Sequence, residues 1–479
     1  MTEKPWSLTI PDQSFDTLQA HLFPGDGDEH GAVILASLVE TKTEFRLLAK
    51  DIILAIDGVD FVPGIRGYRM LKGEFITDQI IRARNEGLVY LAIHNHGGQD
   101  RVSFSAQDIE SHERGYPALL DIARGMPVGA LVFAKNAVAA DIWLPNRSRI
   151  ELDHMRILGS SLKSLYNHPR EATPIRADER YDRQIRLFGR EGQAMLADAK
   201  VLIVGLGGAG SQIARHLACI GVRNFVLVDP DRAEISNLPR LEGATGWHAR
   251  SWLTNASMPT IIRNFAKRFA APKVQISKKA IIRQNKKATV KCIQKDFCDD
   301  SIQKEILDCD YIFLAADQHR ARLRFNALVH QYLIAGVQVG AKVARHTDTG
   351  EISDVYAVVR PVNPQSGCLF CNGLISSRKL QAESSSEEEL ESQKYGLDLQ
   401  EPAASISTLN AIATAQAAND FMMWFLGLTG QGWTDEYSRY LAQTRKRILE
   451  IPRKSPDCRF CGQGADSHLA KGDNMELPI

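Results

Sequence analysis

Hydrophobic and polar positions follow two rhythms along this chain. Over residues 30–41, HGAVILASLVET, nearly every position is apolar, the pattern of a buried strand or a helix–strand junction. EFRLLAKDIIL (44–54) is a strand candidate. FITDQIIRARNEG (75–87) carries apolar residues at helical spacing and stops at a glycine. Residues 88–93 form another buried strand, and strand alternation places His94 and His96 on one face at its end. Residues 145–178 are polar and proline-bearing around a helical piece, IELDHMRILGSSLKSLY, and read as a boundary. Beyond it, the apolar run 201–204 leads into glycines and a helical pattern, QIARHLACI. Further strands follow in NFVLVD and YIFLAAD, and an apolar core helix in PAASISTLNAIATAQAANDFMMWFLG. The serine- and glutamate-rich stretch 376–394 reads as a mobile loop.

This pattern predicts an α/β protein: an N-terminal α/β domain over 1–150, a linker over 151–178, and a Rossmann-like domain with a mostly parallel sheet over 179–479. The length, 479 residues, suits two or three domains. With 44% apolar and 24% charged residues the chain is of ordinary globular composition. A net charge of +1 offers no basic field for nucleic acid. The sequence shows neither a transmembrane-length apolar run nor a signal-peptide core, so no membrane partner is expected and a cytoplasmic location is.

The glycines carry the first chemical signal. Gly205, Gly207, Gly208 and Gly210 directly follow a strand, and Ser211 opens a helix. Such a turn lets backbone approach a phosphate while free N–H groups of the helix start face it. Asp229 ends the next strand, 24 positions beyond Gly205, where a carboxylate accepts from ribose hydroxyls. On glycines alone a dehydrogenase fits equally.

Cysteines and histidines carry the second. Cys219, Cys292, Cys298 and Cys309 stand singly and read as small hydrophobes. Cys368/Cys371 and Cys458/Cys461 are C-x-x-C pairs about 87 residues apart, and four thiolates close a structural zinc site with no open position. His94, His96 and a later carboxylate suit a zinc that keeps one position for water, on which a nearby carboxylate acts as general base.

The stretch 88–112 resembles the JAMM/MPN metalloprotease motif, a glutamate followed by H-x-H-x7-S-x-x-D. The resemblance implies His94, His96 and Asp108 as zinc ligands, Ser105 as an oxyanion stabiliser and Glu29, in EHGAVILA, as general base, ahead of Glu40. Two departures stand out: eight residues separate His96 from Ser105, and Gly97 replaces the usual proline.

RYDRQIRLFG before the glycine turn and DPDRAEISNLPR after it resemble the ThiF/MoeB/ubiquitin-activating adenylation family. Members use ATP to activate the C-terminal carboxylate of a ubiquitin-like protein. The resemblance implies that Asp229, with Asp231 beside it, binds ribose, that Asp317 binds Mg²⁺, and that Asn237, Arg240 and Lys273 contact phosphates. It implies that Arg183 reaches the ATP of a partner subunit in a homodimer, and it leaves Arg322 and Asn326 between direct contact and support. No cysteine lies between Cys371 and Cys458, where thioester- or persulfide-forming members carry one. The activated carboxylate then passes to another protein's thiol, an amine or a sulfur donor, and a conjugating enzyme joins the candidate partners. The connection 241–272 is longer than in simple members; it packs as an extra helix or contacts the protein substrate.

Together these resemblances imply a zinc (iso)peptidase fused to an adenylating enzyme, both acting on one ubiquitin-like terminus. Such fusions fit prokaryotic ubiquitin-like operons, including antiviral defence. The alternative is a sulfur-carrier adenylyltransferase of molybdopterin- or thiamine-type cofactor biosynthesis.

Overall fold

The computed structural model describes residues 4–62, 70–169, 178–345, 349, 351–384, 404–464 and 466–478. The chain divides into two units. One comprises Met1–Ala172, His330–Leu333 and Gln463–Glu476; the other comprises Thr173–Val329, Ile334–Gly462 and Leu477–Ile479.

Among the described residues the first unit is built on nine strands: β1 (Trp6–Pro11), β2 (Gly31–Glu40), β3 (Phe45–Leu54), β4 (Val89–Asn95), β5 (Val128–Phe133), β6 (Val138–Trp143), β7 (Arg149–Ile150), β8 (Leu152–Leu158) and β9 (Leu162–Leu165). They lie in the order β7-β6-β5-β4-β2-β3-β1-β8-β9. Helix α1 (Asp12–Leu22) covers one face, and α2 (Gly73–Glu86) and α3 (Ala106–Ala123) cover the other. Strand β2 explains its own apolar run: Ala32 and Ile34 enter the core under α1, Val33 and Leu35 the core under α2 and α3.

The linker and helix expected at 151–178 are not what forms. Strand β8 runs parallel to β1, with Leu8 opposite Met155, and β9 returns antiparallel to β8. Met155 and Ile157, two positions apart, both enter the apolar core, so strand periodicity prevails over the helical reading. The remainder of that stretch, 170–177, lies outside the described residues.

The second unit holds β10 (Lys200–Val204), β11 (Asn224–Val228), β12 (Thr289–Ile293), β13 (Tyr311–Leu314), β14 (Gly336–Arg345), β15 (Ile352–Val362), β16 (Tyr437–Leu441) and β17 (Lys446–Glu450). Their order is β12-β11-β10-β13-β14-β15-β16-β17, parallel as far as β14 and antiparallel beyond. Its helices among the described residues are α4 (Asp182–Asp198), α5 (Gly208–Ile220), α6 (Gly246–Ala249), α7 (Ser251–Thr254), α8 (Thr260–Lys267), α9 (Lys273–Gln284), α10 (Gln303–Ile306), α11 (His319–Gln331), α12 (Ser377–Ser384) and α13 (Ser407–Phe425). Val204 pairs with both Val228 and Leu314, so β10, β11 and β13 end level. Gly205, Asp229 and the loop 315–318 therefore emerge along one edge, where an open parallel sheet binds its ligands.

The expected loop at 376–394 begins as a helix. Glu383 of α12 accepts hydrogen bonds from His319 N and Arg320 N, both at 2.8 Å, and thereby caps the N-terminus of α11. Residues 385–394 lie outside the described residues. None of the described helices is long and apolar enough to cross a membrane.

Candidate functional site

Two constellations fall in separate units. The first lies at the end of β4, whose alternation directs His94 and His96 to one face. Helix α3 begins there with a capping box: Ser105 Oγ accepts from Asp108 N at 3.2 Å, and Asp108 Oδ2 accepts from Ser105 N at 2.8 Å. This turn aims Asp108 at the histidines. His94 Nε2 and His96 Nε2 are 3.2 Å apart; Asp108 Oδ1 is 3.6 Å from the former and Oδ2 3.4 Å from the latter. Tetrahedral zinc with bonds near 2.0–2.1 Å requires ligand atoms about 3.3 Å apart. The three donors fit that spacing.

The extra loop residue does not spoil this convergence. The loop 97–104 is tied back by Asn136 N to Gln99 O at 2.7 Å and Val102 N to Asn167 O at 3.0 Å, so the added length is absorbed away from His94, His96 and Asp108. Glu29 Oε1 lies 4.0 Å from His96 Nε2. Glu40 sits at the opposite end of β2, paired with Lys4. Ser105 Oγ, expected to face an oxyanion, donates to Asp108 Oδ2 at 2.7 Å. Burial would raise the Asp108 carboxyl, but hydrogen bonds from His94, His96 and Ser105 hold it well below the usual range. Two neighbours carry no local sequence signal: Asn95 accepts from His30 N at 2.6 Å and so fixes the backbone beside Glu29, and His112, one helical turn past Asp108, has its Nδ1 2.7 Å from Asp141 Oδ2.

The second constellation lines the level strand ends of the second unit. Helix α5 starts at Gly207 without a side-chain cap, so its first N–H groups stay available to an anion. A Cβ on Gly210 would lie 1.8 Å from Gly205 O, which explains that glycine. A Cβ on Gly208 would lie 2.5 Å from Asn410 Nδ2 and 3.0 Å from Arg240 Cδ. Arg240 and Asn410 of α13 thus meet over the helix start, and spacing in sequence gave no sign of Asn410. Polar contacts join α13 to α5: Gln212 Nε2 donates to Ser407 Oγ at 3.0 Å, and Thr414 Oγ1 to Gln212 Oε1 at 3.3 Å.

Asp229 is 4% exposed. Its carboxylate accepts from Leu206 N at 2.5 Å and Asp231 N at 2.8 Å. Burial pushes the group up, offset in part by Lys273 and these two N–H donors. Lys273 Nζ contacts Asp231 Oδ2 at 2.7 Å. Asn237 closes a short turn, accepting from Glu234 N through Oδ1 at 3.3 Å, and Arg240 Nη1 donates to Ser236 O at 2.9 Å. Asp317 is exposed beyond β13, and Arg183 is exposed on the first turn of α4. Arg322 and Asn326 act as ties: Arg322 Nη1 donates to Leu374 O at 3.1 Å, and Asn326 Oδ1 accepts from Leu369 N at 2.9 Å. A cavity of about 620 Å³ opens elsewhere in this unit, where Tyr311 and Gly336 begin their strands, at the other end of the sheet from these groups.

The four cysteines also converge. Cys368 Sγ lies 3.6 Å from Cys458 Sγ, and Cys371 Sγ 3.7 Å from Cys461 Sγ. Zinc–sulfur bonds near 2.3 Å in a tetrahedron place sulfurs about 3.8 Å apart. Burial pushes the Cys371 thiol to about 11, a shift that a cation among four thiols reverses.

The ThiF family matches the chain over residues 181–460. The molybdopterin-synthase adenylyltransferase of Salmonella typhimurium is 33% identical over 150 residues, 31% of this chain and 52% of that protein. The sulfur carrier protein ThiS adenylyltransferase of Escherichia coli is 29% identical over 150 residues, with the same shares. The adenylyltransferase and sulfurtransferase uba4 of Emericella nidulans is 51% identical over 71 residues, 14% of this chain and 15% of that one. The chain spans about half the length of the first of these relatives. Among solved structures, E. coli MccB with MccA-N7isoASN is 20% identical, at a TM-score of 0.44 over 60% of this chain and 75% of that one.

Proposed function

The chain belongs to the ThiF family, and from that premise we propose that its second unit adenylates the C-terminal carboxylate of a ubiquitin-like or sulfur-carrier protein, while its first unit cleaves a peptide or isopeptide bond at such a terminus. One observation carries the adenylation reading: the uncapped start of α5, Arg240 and Asp229 line a single strand edge.

Backbone N–H groups at Gly207, Gly208 and Gly210 cradle phosphate oxygens of ATP, while Gly205, whose own N–H donates to Val228 O at 2.9 Å, shapes the turn. Asp229, with Asp231 beside it, accepts from the ribose. Asn237, Arg240 and Lys273 face the phosphates, Lys273 exchanging its contact with Asp231 for them. Asp317 would hold Mg²⁺, which supplies positive charge among crowded phosphates. Nucleophile and electrophile are both anionic, so these cations offset repulsion as charge develops. A carboxylate oxygen attacks the α-phosphorus, the bond to the bridging oxygen breaks, and pyrophosphate leaves with the electron pair. Arg183 extends to the ATP of a partner subunit in a homodimer.

In the first unit His94, His96 and Asp108 would hold zinc, which would supply a Lewis acid for a carbonyl and for water. Glu29 takes the proton of the attacking water and delivers it to the leaving amine. Ser105 keeps Asp108 in place. Trimming a precursor there exposes the carboxylate that the second unit activates. The four cysteines would hold a structural zinc. A cytoplasmic setting suits ATP and free thiols.

The relatives' names concern molybdopterin synthase and ThiS. They favour a sulfur carrier over a modifier conjugated to lysine through a conjugating enzyme. The test is ATP–pyrophosphate exchange with two probes: the sulfur carrier protein ThiS and a synthetic peptide ending in Gly-Gly. Exchange that depends on a probe and vanishes in Asp317→Ala supports the reading; no exchange with either probe refutes it.

A further inference from the structure

The connection between Arg240 and Lys273 is folded inside out. Helix α8 buries Ala266 and exposes Ile261 (85%) and Phe265 (62%); α6 buries Ala249 and exposes Trp247 (72%). Trp252 and Phe269 are exposed as well. These aromatic side chains form two ring pairs, Trp247 with Trp252 at 4.6 Å and Phe265 with Phe269 at 5.0 Å, on helices that pack against each other, α7 carrying Trp252 and α8 carrying Phe265. A single exposed aromatic is ordinary, whereas a contiguous apolar patch marks an interaction site.

The segment is anchored. Ala271 N donates to His248 O at 2.8 Å and Ala233 N to Ala271 O at 2.9 Å, while Ala249 and Leu241 pack with Ile276 of α9. The outward face is therefore held in place by its small inward residues.

Its charge has one sign. Between Glu242 and Lys273 there is no Asp or Glu, but Arg250, Arg263, Lys267 and Arg268 are present. Two copies meeting face to face would juxtapose these cations, which opposes self-association. An acidic partner with an apolar centre complements the face. Both ends of the segment enter the nucleotide site, since Arg240 lies over α5 and Lys273 opens α9.

We infer that residues 246–269 dock the folded body of the protein substrate through an acidic, apolar-centred face, so that its C-terminal tail reaches Arg240 and Lys273. The inference rests on the adenylation reading above. The test compares a Trp247→Ser/Phe265→Ser variant with the unaltered protein in ATP–pyrophosphate exchange. The probes are folded ThiS and the peptide ending in Gly-Gly, which has no body to dock. The KM for ThiS is expected to rise about tenfold or more, with kcat and the peptide's KM unchanged. Arg263→Glu/Arg268→Glu should give the same split. An unchanged KM for ThiS overturns the inference, as does an equal loss with both probes. An unaltered protein that uses the peptide as well as ThiS also overturns it. So does a variant that changes oligomeric state in sedimentation, or that loses binding to anionic vesicles, since the face then serves another partner. Absence of exchange with either probe in the unaltered protein strikes at the adenylation reading instead.

Discussion

Asp229 holds the glycine turn from the neighbouring strand: its carboxylate accepts the N–H of Leu206, 23 residues earlier, and that of Asp231, two residues later. One buried side chain thus fixes both walls of the proposed nucleotide cradle. Hydrogen bonds to a charged group are worth about 1.5–3 kcal/mol. Asp229→Ala should weaken ATP binding about 10–100-fold in calorimetric titration. Asp229→Asn, which keeps an acceptor oxygen, should fall between. An unaltered affinity in both variants would remove the residue from the cradle.

Gly208 owes its identity to what crosses above it. A methyl group there must displace Asn410 or Arg240. Gly208→Ala should slow pyrophosphate exchange about 10–100-fold, consistent with an overpacking cost of about 1–3 kcal/mol. Asn410→Ala should restore part of that loss when combined with it. A double-mutant cycle without coupling would show that the two positions act independently.

Glu44 gives the first unit an acid-sensitive element. Burial would raise its carboxyl, but Arg46, Arg156 and Ser7 bring it down to about 2. Its folded pKa is therefore depressed below the usual 4.5. The stability it contributes is complete above about pH 4.5 and is lost as pH falls toward 2. The shift corresponds to about 3 kcal/mol. Denaturant melts of the first unit between pH 5 and 3 should show this loss, and Glu44→Gln should flatten that part of the profile. An identical slope in the variant would assign the acid sensitivity elsewhere.

The two donor sets predict different metal behaviour. Elemental analysis should find two zinc ions per chain, falling to one in His94→Ala and to one in Cys461→Ser. A chelator should strip the three-donor site first, because it is more exposed and has one ligand fewer. Only loss of the four-cysteine metal should lower the thermal midpoint of the second unit. A preparation that retains two zinc ions in His94→Ala would exclude that site.

Much of this architecture is legible in the sequence because parallel strands buried on both faces read as unbroken apolar runs. Residues 201–204 and their glycines announce the strand–turn–helix, and level pairing does the rest. Residues 152–158 mislead because three polar side chains fall between apolar ones at spacings that serve either periodicity; only the neighbouring β1 decides. Helix α12 hides in a polar stretch because Glu383 is a cap for another helix, not a member of an apolar stripe. Asn410 and Asn95 are invisible for a similar reason. Each earns its place through a contact with a residue distant in the chain, and neither has a local pattern. The convergence of His94 and His96 with Asp108 is readable despite the added residue, since strand alternation and the capping box aim both sides independently.

The cysteine pairs have a consequence for assembly. The 86 residues between Cys371 and Cys458 include α13, the helix that carries Asn410 over the start of α5. Closing a free loop of that length costs about 4 kcal/mol in chain entropy. A cation gripping the thiols would prepay that ordering before any nucleotide arrives. Metal supply and ATP affinity would then be thermodynamically linked, although the two ligands share no side chain: starving the chain of one would loosen its hold on the other.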